Sequence, residues 1–83
     1  MQNDYPSTIT LIVRDTPGVL VRVAQVFSRR NLNIKSIHVE PTSVTPWSTM
    51  TITTSNISQP QQIISQLEKL VDAKDIKHNS STH

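Results

Sequence analysis

Apolar and polar residues alternate over residues 8–14, and the spacing then changes to three and four residues. In the first segment, TITLIVR, the residues Ile9, Leu11 and Val13 fall on one side of an extended chain. This alternation predicts a strand. From residue 19 onward, apolar residues recur at helical spacing and predict an amphipathic helix. Its expected buried stripe consists of Leu20, Val23, Ala24 and Phe27.

The ends of this helix carry residues with terminal preferences. We expect Asp15 and Thr16 to cap the N-terminus through their side chains and Pro17 to occupy the first turn. Asn31 tolerates the left-handed backbone conformation and is expected to end the helix.

Gly18 is the only glycine in the chain and lies at this helix start. Glycine inside a helix costs about 1 kcal/mol relative to alanine, so its position needs a reason. One interpretation is tight packing of the turn against a neighbouring strand. The other is that the missing side chain lets an anion such as a carboxylate reach the free N–H groups of the first turn.

Residues 33–41, NIKSIHVEP, predict a second strand that ends at Pro41. Ile37 and Val39 share one face of it, and Lys35 has the same parity, which is unusual for a charged residue beside two apolar ones.

The polar segment TSVTPWS predicts a loop, and the following STMTITTS alternates and predicts a third strand. The two strands form a hairpin with a long tip that contains Trp47. We consider two roles for Trp47: a loop residue folded onto the sheet, or an exposed anchor at a protein interface.

A second helix follows, because Ser58 and Gln61 have the spacing of a capping box and Pro60 suits the first turn. Its apolar stripe consists of Ile63, Ile64, Leu67, Leu70 and Val71. The final segment, AKDIKHN, predicts a weak strand around Ile76.

The predicted order is therefore strand, helix, strand, strand, helix, strand. Short connections and right-handed crossovers arrange it as an α+β, ferredoxin-like βαββαβ fold. A four-stranded antiparallel sheet carries both helices on one face and leaves the other open. We expect an N-terminal extension over residues 1–7, the domain over 8–78 and a mobile polar tail over 79–83. The second strand should lie at a sheet edge, where pairing with a second copy would give a homodimer.

The composition and charge of the chain argue against several classes of function. The chain of 83 residues has no cysteine, so disulfides and Cys-based metal sites are excluded and a cytoplasmic location is expected. A net charge of +2, from 8 basic and 6 acidic residues, is too weak to indicate nucleic-acid binding. Since no apolar run resembles a secretory signal or a membrane span, we expect neither secretion nor membrane insertion.

Candidate catalytic and metal-binding residues are few. His38, His78 and His83 have no metal-ligand spacing and are expected to be surface histidines. Asp72 and Asp75 flank a strand start, and the chain has no nucleophile motif or phosphate-binding glycine loop. We therefore expect no active site and no metal site.

The same strand order serves RNA-recognition modules, which stack bases on aromatic residues of the sheet. Here Phe27 falls on a helix, Tyr5 precedes the first strand and Trp47 is assigned to a loop. With no aromatic residue on a central strand, RNA binding is not expected.

Several short runs together resemble a known family. RDTPGVL, FSRR and NIKSI resemble the ACT domain, a small regulatory module that binds amino acids. More narrowly, GVLVRVAQVFSRRNLNIKSIHVEPTSV, MTI and IISQLEKLVD resemble the regulatory small subunits of acetohydroxyacid synthase, also called acetolactate synthase. The resemblance covers about residues 9–78, and the chain resembles the short single-domain versions.

The resemblance implies a regulatory subunit without chemistry of its own. Such subunits bind and activate a catalytic large subunit and confer feedback by valine or another branched-chain amino acid. It implies no cofactor in this chain, with thiamine diphosphate, Mg²⁺ and FAD on the catalytic partner only. Because RDTPG also occurs in ACT domains attached to other enzymes, the alternative is an amino-acid-sensing module of a different metabolic enzyme.

The resemblance also implies an effector site at a dimer interface. Gly18 matches the glycine of the family's ligand loop, and Asn33 matches an asparagine that reaches the effector from the second chain. Asp15 stands where many members have asparagine, and its carboxylate cannot donate a hydrogen bond. The expected effector-binding residues are Asp15, Thr16, Pro17, Gly18, Val19, Leu20, Asn33 and Ile34.

Overall fold

The computed structural model describes residues 6–80. The elements are β1 (Ser7–Arg14), α1 (Val19–Arg29), β2 (Ile34–Pro41), β3 (Trp47–Thr54), α2 (Pro60–Glu68) and β4 (Ala73–Ser80). The strands form one antiparallel sheet in the order β2-β3-β1-β4, so β2 and β4 are its edges. The predicted α+β fold and the edge position of β2 are confirmed.

The core lies between the two helices and one face of the sheet. Strands β1 and β3 both alternate between buried and half-buried residues, as their sequences predict. Phe27 of α1 and Leu67 of α2 are fully buried against this face. The core residues are Ile9, Leu11, Val13, Val19, Val23, Val26, Phe27, Met50, Ile52, Ile57, Ile63 and Leu67.

Helix α1 begins differently from its sequence prediction. Gly18 is the N-cap residue, with a φ of 88°, and no side chain of residues 6–80 caps the helix. Capping by Asp15 and Thr16 was therefore a wrong expectation, and Pro17 lies before the helix. The Val19 N–H group instead donates to the backbone carbonyl of Thr16 at 3.3 Å.

The buried stripe of α1 is also rotated from the expected one. Val19 and Val26 are buried, whereas Leu20 is 44% exposed. At the other end Asn31 adopts a φ of 62°, so its predicted left-handed conformation is confirmed.

A β-bulge explains the unusual parity of Lys35 in β2. Ile34 pairs with Thr54, but Ser36 pairs with Thr53, so Lys35 is an extra residue in the ladder. The bulge places Ile34 and Ile37 opposite buried residues of β3 without burying Lys35, which is exposed. Asn33 immediately precedes the strand.

Strand β3 begins at Trp47, which pairs with Arg14 of β1. The assignment of Trp47 to the loop was therefore wrong, and an aromatic residue does lie on a central strand. The sequence missed this because the polar run around Trp47 conceals the register of the strand.

Helix α2 starts with Pro60, as predicted, but its N-cap residue is Gln59, and no side chain in the described part of the chain caps this helix. The expected Ser58 and Gln61 capping box is absent at this helix start. Within the expected stripe, Ile63 and Leu67 are buried and Val71 is 87% exposed, because α2 ends at Glu68.

Strand β4 extends to Ser80, and Asn79 pairs with Thr8 of β1. Two residues that the sequence assigned to the tail therefore belong to the sheet, as does Ser7 at the other end. Pro6 precedes β1, and residues 1–5 and 81–83 of the expected extension and tail lie outside the described residues. Over residues 6–80, neither helix has the length and apolarity needed to cross a membrane.

Candidate functional site

The loop between β1 and α1 is a short turn held by its own backbone. The Asp15 N–H group donates to the Pro46 carbonyl at 2.7 Å, and the Thr16 N–H group donates to the Arg14 carbonyl at 2.8 Å. The chain then enters α1 through the left-handed Gly18. Glycine adopts this conformation without strain, so the backbone accounts for the only glycine in the chain.

The space beside Gly18 is open. A Cβ atom at this position would have one neighbour within 4 Å outside the adjoining backbone, the Nη2 atom of Arg22 at 3.9 Å. Tight packing against a strand, the first interpretation of Gly18, was therefore wrong. A ligand can approach the turn from this side.

The start of α1 offers backbone donors to such a ligand. The Val19 N–H group is occupied by the Thr16 carbonyl. Among the described residues, the N–H groups of Gly18 and Leu20 have no backbone acceptor. Unpaired donors and the positive end of the helix dipole both favour an anionic group at this position.

Arg22 brings a positive charge to the same side, and sequence reasoning missed it. Its Nη1 atom donates to Oδ2 of Asp72 at 3.0 Å, while Nε of Arg14 lies 3.4 Å from Oδ1 of the same carboxylate. Asp72 is thus shared by two guanidinium groups. The available signal was spacing, because Arg22 follows Gly18 by four residues and so lies one helical turn beyond it.

Side chains around the loop differ in their accessibility. Asp15, Pro17 and Leu20 are exposed and Thr16 is half-buried, whereas Val19 is only 5% exposed and belongs to the core. Of the two aliphatic residues that α1 contributes to the expected effector-binding set, Val19 and Leu20, only Leu20 is exposed to a ligand.

Asn33 and Ile34 do not join this loop within one chain. They follow α1, whereas the loop precedes it, and a helix of 11 residues is about 16 Å long. The strand pairing also places Asn33 and Ile34 far from the loop. Ile34 lies opposite Thr54 at one end of β3, whereas Trp47 at the other end lies opposite Arg14, next to the loop. A second chain is therefore required to bring the two groups of expected site residues together.

Within residues 6–80, no strand pairs with the outer side of β2, and the apolar residues of β2 are partly exposed. Ile37 is 37% exposed and Val39 is 47% exposed. Both lie opposite buried residues of β3, on the helix-bearing side of the sheet. An unpaired edge with exposed apolar side chains is suited to association with another strand.

The histidines do not form a metal site in the described part of the chain. Across residues 6–80, no group of three His, Asp or Glu side chains could hold a metal ion. His38 is exposed, with Nε2 lying 2.9 Å from Oε2 of Glu40. His78 departs from the expected surface position, because its Nε2 atom is buried without a hydrogen-bond partner. His83 lies outside the described residues.

Comparison with known proteins assigns the chain to one family. A family model described as the AHAS small subunit-like ACT domain matches residues 9–74. The acetolactate synthase small subunit of Mycobacterium leprae is 47% identical over 66 residues, spanning 78% of this chain and 39% of the relative. That of Mycobacterium bovis is 43% identical over 77 residues, spanning 92% of this chain and 46% of the relative.

A solved structure agrees with these relatives. The crystal structure of the acetolactate synthase small subunit from Thermotoga maritima matches with a TM-score of 0.77 at 30% identity, covering 88% of this chain and 46% of that one. The chain thus spans less than half the length of the curated relatives quoted above.

Proposed function

The chain belongs to the acetohydroxyacid synthase small-subunit family of ACT domains, and we propose that it is a non-catalytic regulatory subunit. In this proposal it binds the catalytic large subunit of acetohydroxyacid synthase in the cytoplasm and raises its activity. It also makes the enzyme responsive to valine or another branched-chain amino acid. Thiamine diphosphate, Mg²⁺ and FAD belong to the catalytic subunit.

The single observation that carries the effector part of this proposal is the open turn at Gly18. The space beside this left-handed glycine is open, and the N–H groups of Gly18 and Leu20 at the helix start have no backbone acceptor among residues 6–80. A carboxylate fits such donors. The exposed Asp15 side chain is suited to accept from the ammonium group of the same amino acid.

A homodimer would complete the site. Pro41, at the end of β2, lies opposite Ser48, and the adjacent Trp47 lies opposite Arg14, which leads into the Asp15 to Gly18 turn. Antiparallel pairing of two β2 strands sets the start of one beside the end of the other. It would therefore bring Asn33 of the partner subunit to the end of the sheet that carries this turn.

Pairing would also supply the apolar part of the site. Leu20 from one chain and Ile34 of the partner subunit would contact a branched aliphatic side chain, and Asn33 of the partner subunit would close the polar side. Because both chains contribute, effector binding would alter the relation between them, which provides a route to a distant partner.

Reconstitution tests this function. The purified catalytic subunit of the same organism is assayed for acetolactate formation with and without this chain. We expect this chain to raise the rate and to make it fall as valine is added. An unchanged rate and unchanged valine response would reject the acetohydroxyacid synthase assignment and leave a sensor for a different enzyme.

A further inference from the structure

We propose that the open face of the sheet docks an acidic segment of the catalytic subunit around Trp47, a proposal that rests on the regulatory function above. The Trp47 surface comprises Trp47 with Ile12, Arg14, Val44 and Lys74. Neither helix covers this face.

The tryptophan ring is held on the open face with two cations against it. Trp47 alternates with the buried Ser48 and therefore points away from the helices, where it is half-buried. The Arg14 guanidinium lies 4.9 Å from the ring centroid, and the Lys74 ammonium lies 4.1 Å from it. These cation–π contacts hold the charged groups beside an apolar surface.

The positive charges beside Trp47 favour an acidic partner. Arg14 shares the Asp72 carboxylate with Arg22, and Lys74 forms no ion pair within residues 6–80. Among the residues that the structure describes, Asp75 is the one carboxylate that lines the depression beside the ring. Carboxylates of a partner would pair with Arg14 and Lys74, and tryptophan and arginine are the residue types that dominate binding energy in protein interfaces.

The shape of the Trp47 surface favours a partner with an apolar side chain between the carboxylates that pair with Arg14 and Lys74. A shallow depression of about 240 Å³ lies beside the ring, with Ile12, Val44 and Trp47 as its apolar lining. Thr42 also lines the depression, and its N–H and hydroxyl groups both donate to the Trp47 carbonyl, at 3.1 and 2.9 Å. The depression therefore offers an apolar surface to a small aliphatic side chain of the partner.

Two contacts connect this surface to the effector turn. The backbone of Asp15 donates to Pro46, the residue before Trp47. The side chains form a second path, in which Arg22 beside Gly18 and Arg14 beside Trp47 share Asp72. A change in the turn would consequently affect a partner bound at Trp47. This connection distinguishes the Trp47 surface from the rest of the open face.

The test compares Trp47→Ala and Lys74→Glu with Lys77→Glu, a matched control. Lys77 lies opposite Thr10 on the same face and is exposed, but it does not contact the ring. Affinity for the purified catalytic subunit is measured by titration calorimetry. We expect both test variants to lose about tenfold or more and the control to stay within about twofold.

The isolated chains supply the remaining controls. Valine affinity and dimer mass should be the same for all variants, and Lys74→Glu decides the question if Trp47→Ala fails to fold. Wild-type affinity for the catalytic subunit in both test variants would overturn the docking site while leaving the regulatory function intact. No binding by the wild-type chain would overturn both. Binding of a single-stranded RNA oligonucleotide that Trp47→Ala removes would replace the acidic partner with nucleic acid.

Discussion

The Nη2 atom of Arg22 lies 3.9 Å from the point that a Cβ atom on Gly18 would occupy. A carboxylate attached at that point would therefore lie within reach of a guanidinium group, at a helix start where the N–H groups of Gly18 and Leu20 have no backbone acceptor among the described residues. These are the groups that we assign to the carboxylate of an amino-acid effector.

Gly18→Asp should abolish valine binding, since its side chain places bulk and a negative charge where the effector carboxylate belongs. Gly18→Ala is the matched control, because it imposes a similar backbone strain of about 1 kcal/mol without the charge. We expect calorimetry to detect valine binding by the alanine variant and none by the aspartate variant. Circular dichroism and light scattering should show both folded and dimeric. Unchanged valine affinity in Gly18→Asp would reject the site. An unfolded variant would show that Gly18 is required only for the backbone conformation.

Asp15→Asn should strengthen valine binding several-fold. Asp15 is exposed beside the turn, and its charge would repel the carboxylate of the effector as well as attract its ammonium group. The amide keeps the size of the side chain and removes the repulsion. Calorimetry of the two proteins at equal ionic strength measures the difference. Weaker binding by the variant would show that the charge of Asp15 holds the ammonium group.

Val39→Asp should dissociate the proposed homodimer. Val39 lies on the edge strand β2 and is 47% exposed, so its replacement should cost the monomer little stability. In the dimer, the substitution would place a negative charge on each of the two paired edges, and these edges should separate. Val71→Asp is the control, since this exposed valine lies after α2 and away from β2. Sedimentation at micromolar concentration should give one chain for the first variant and two for the second. A one-chain mass for the wild-type protein would contradict the dimer.

Phe27→Ala should lower the free energy of unfolding by about 3–5 kcal/mol, because it empties a fully buried position between helix and sheet. Urea denaturation measures the loss. The exposed Leu20 on the same helix provides a comparison, and its replacement by alanine should cost well under half as much. Equal losses would show that the buried face of α1 is assigned wrongly.

Much of the fold followed from local patterns. The alternation of β1 and β3 fixed their buried faces, and Asn31 and Pro60 marked helix ends through their own backbone preferences. The start of α1 could not be predicted in the same way. Its geometry depends on the φ of Gly18 and on the Thr16 carbonyl rather than on a capping side chain.

The candidate site was foreseen in part. Its loop was found from the family resemblance, but Arg22 was overlooked because its role depends on Asp72, which lies 50 residues later in the chain. Trp47 was misplaced for a similar reason, since its position on β3 is set by pairing with Arg14. Contacts between distant segments determine the positions of both residues, and the sequence offered only the four-residue spacing from Gly18 as a signal for Arg22.

The central claim is that this chain carries valine sensitivity through the turn at Gly18. Its most direct test is a valine titration of acetolactate formation by the catalytic subunit, reconstituted with either the wild-type chain or Gly18→Asp. We predict that both chains raise the rate without valine, and that valine lowers it only with the wild-type chain. Equal valine inhibition with both chains would contradict the claim, as would the absence of inhibition with the wild-type chain.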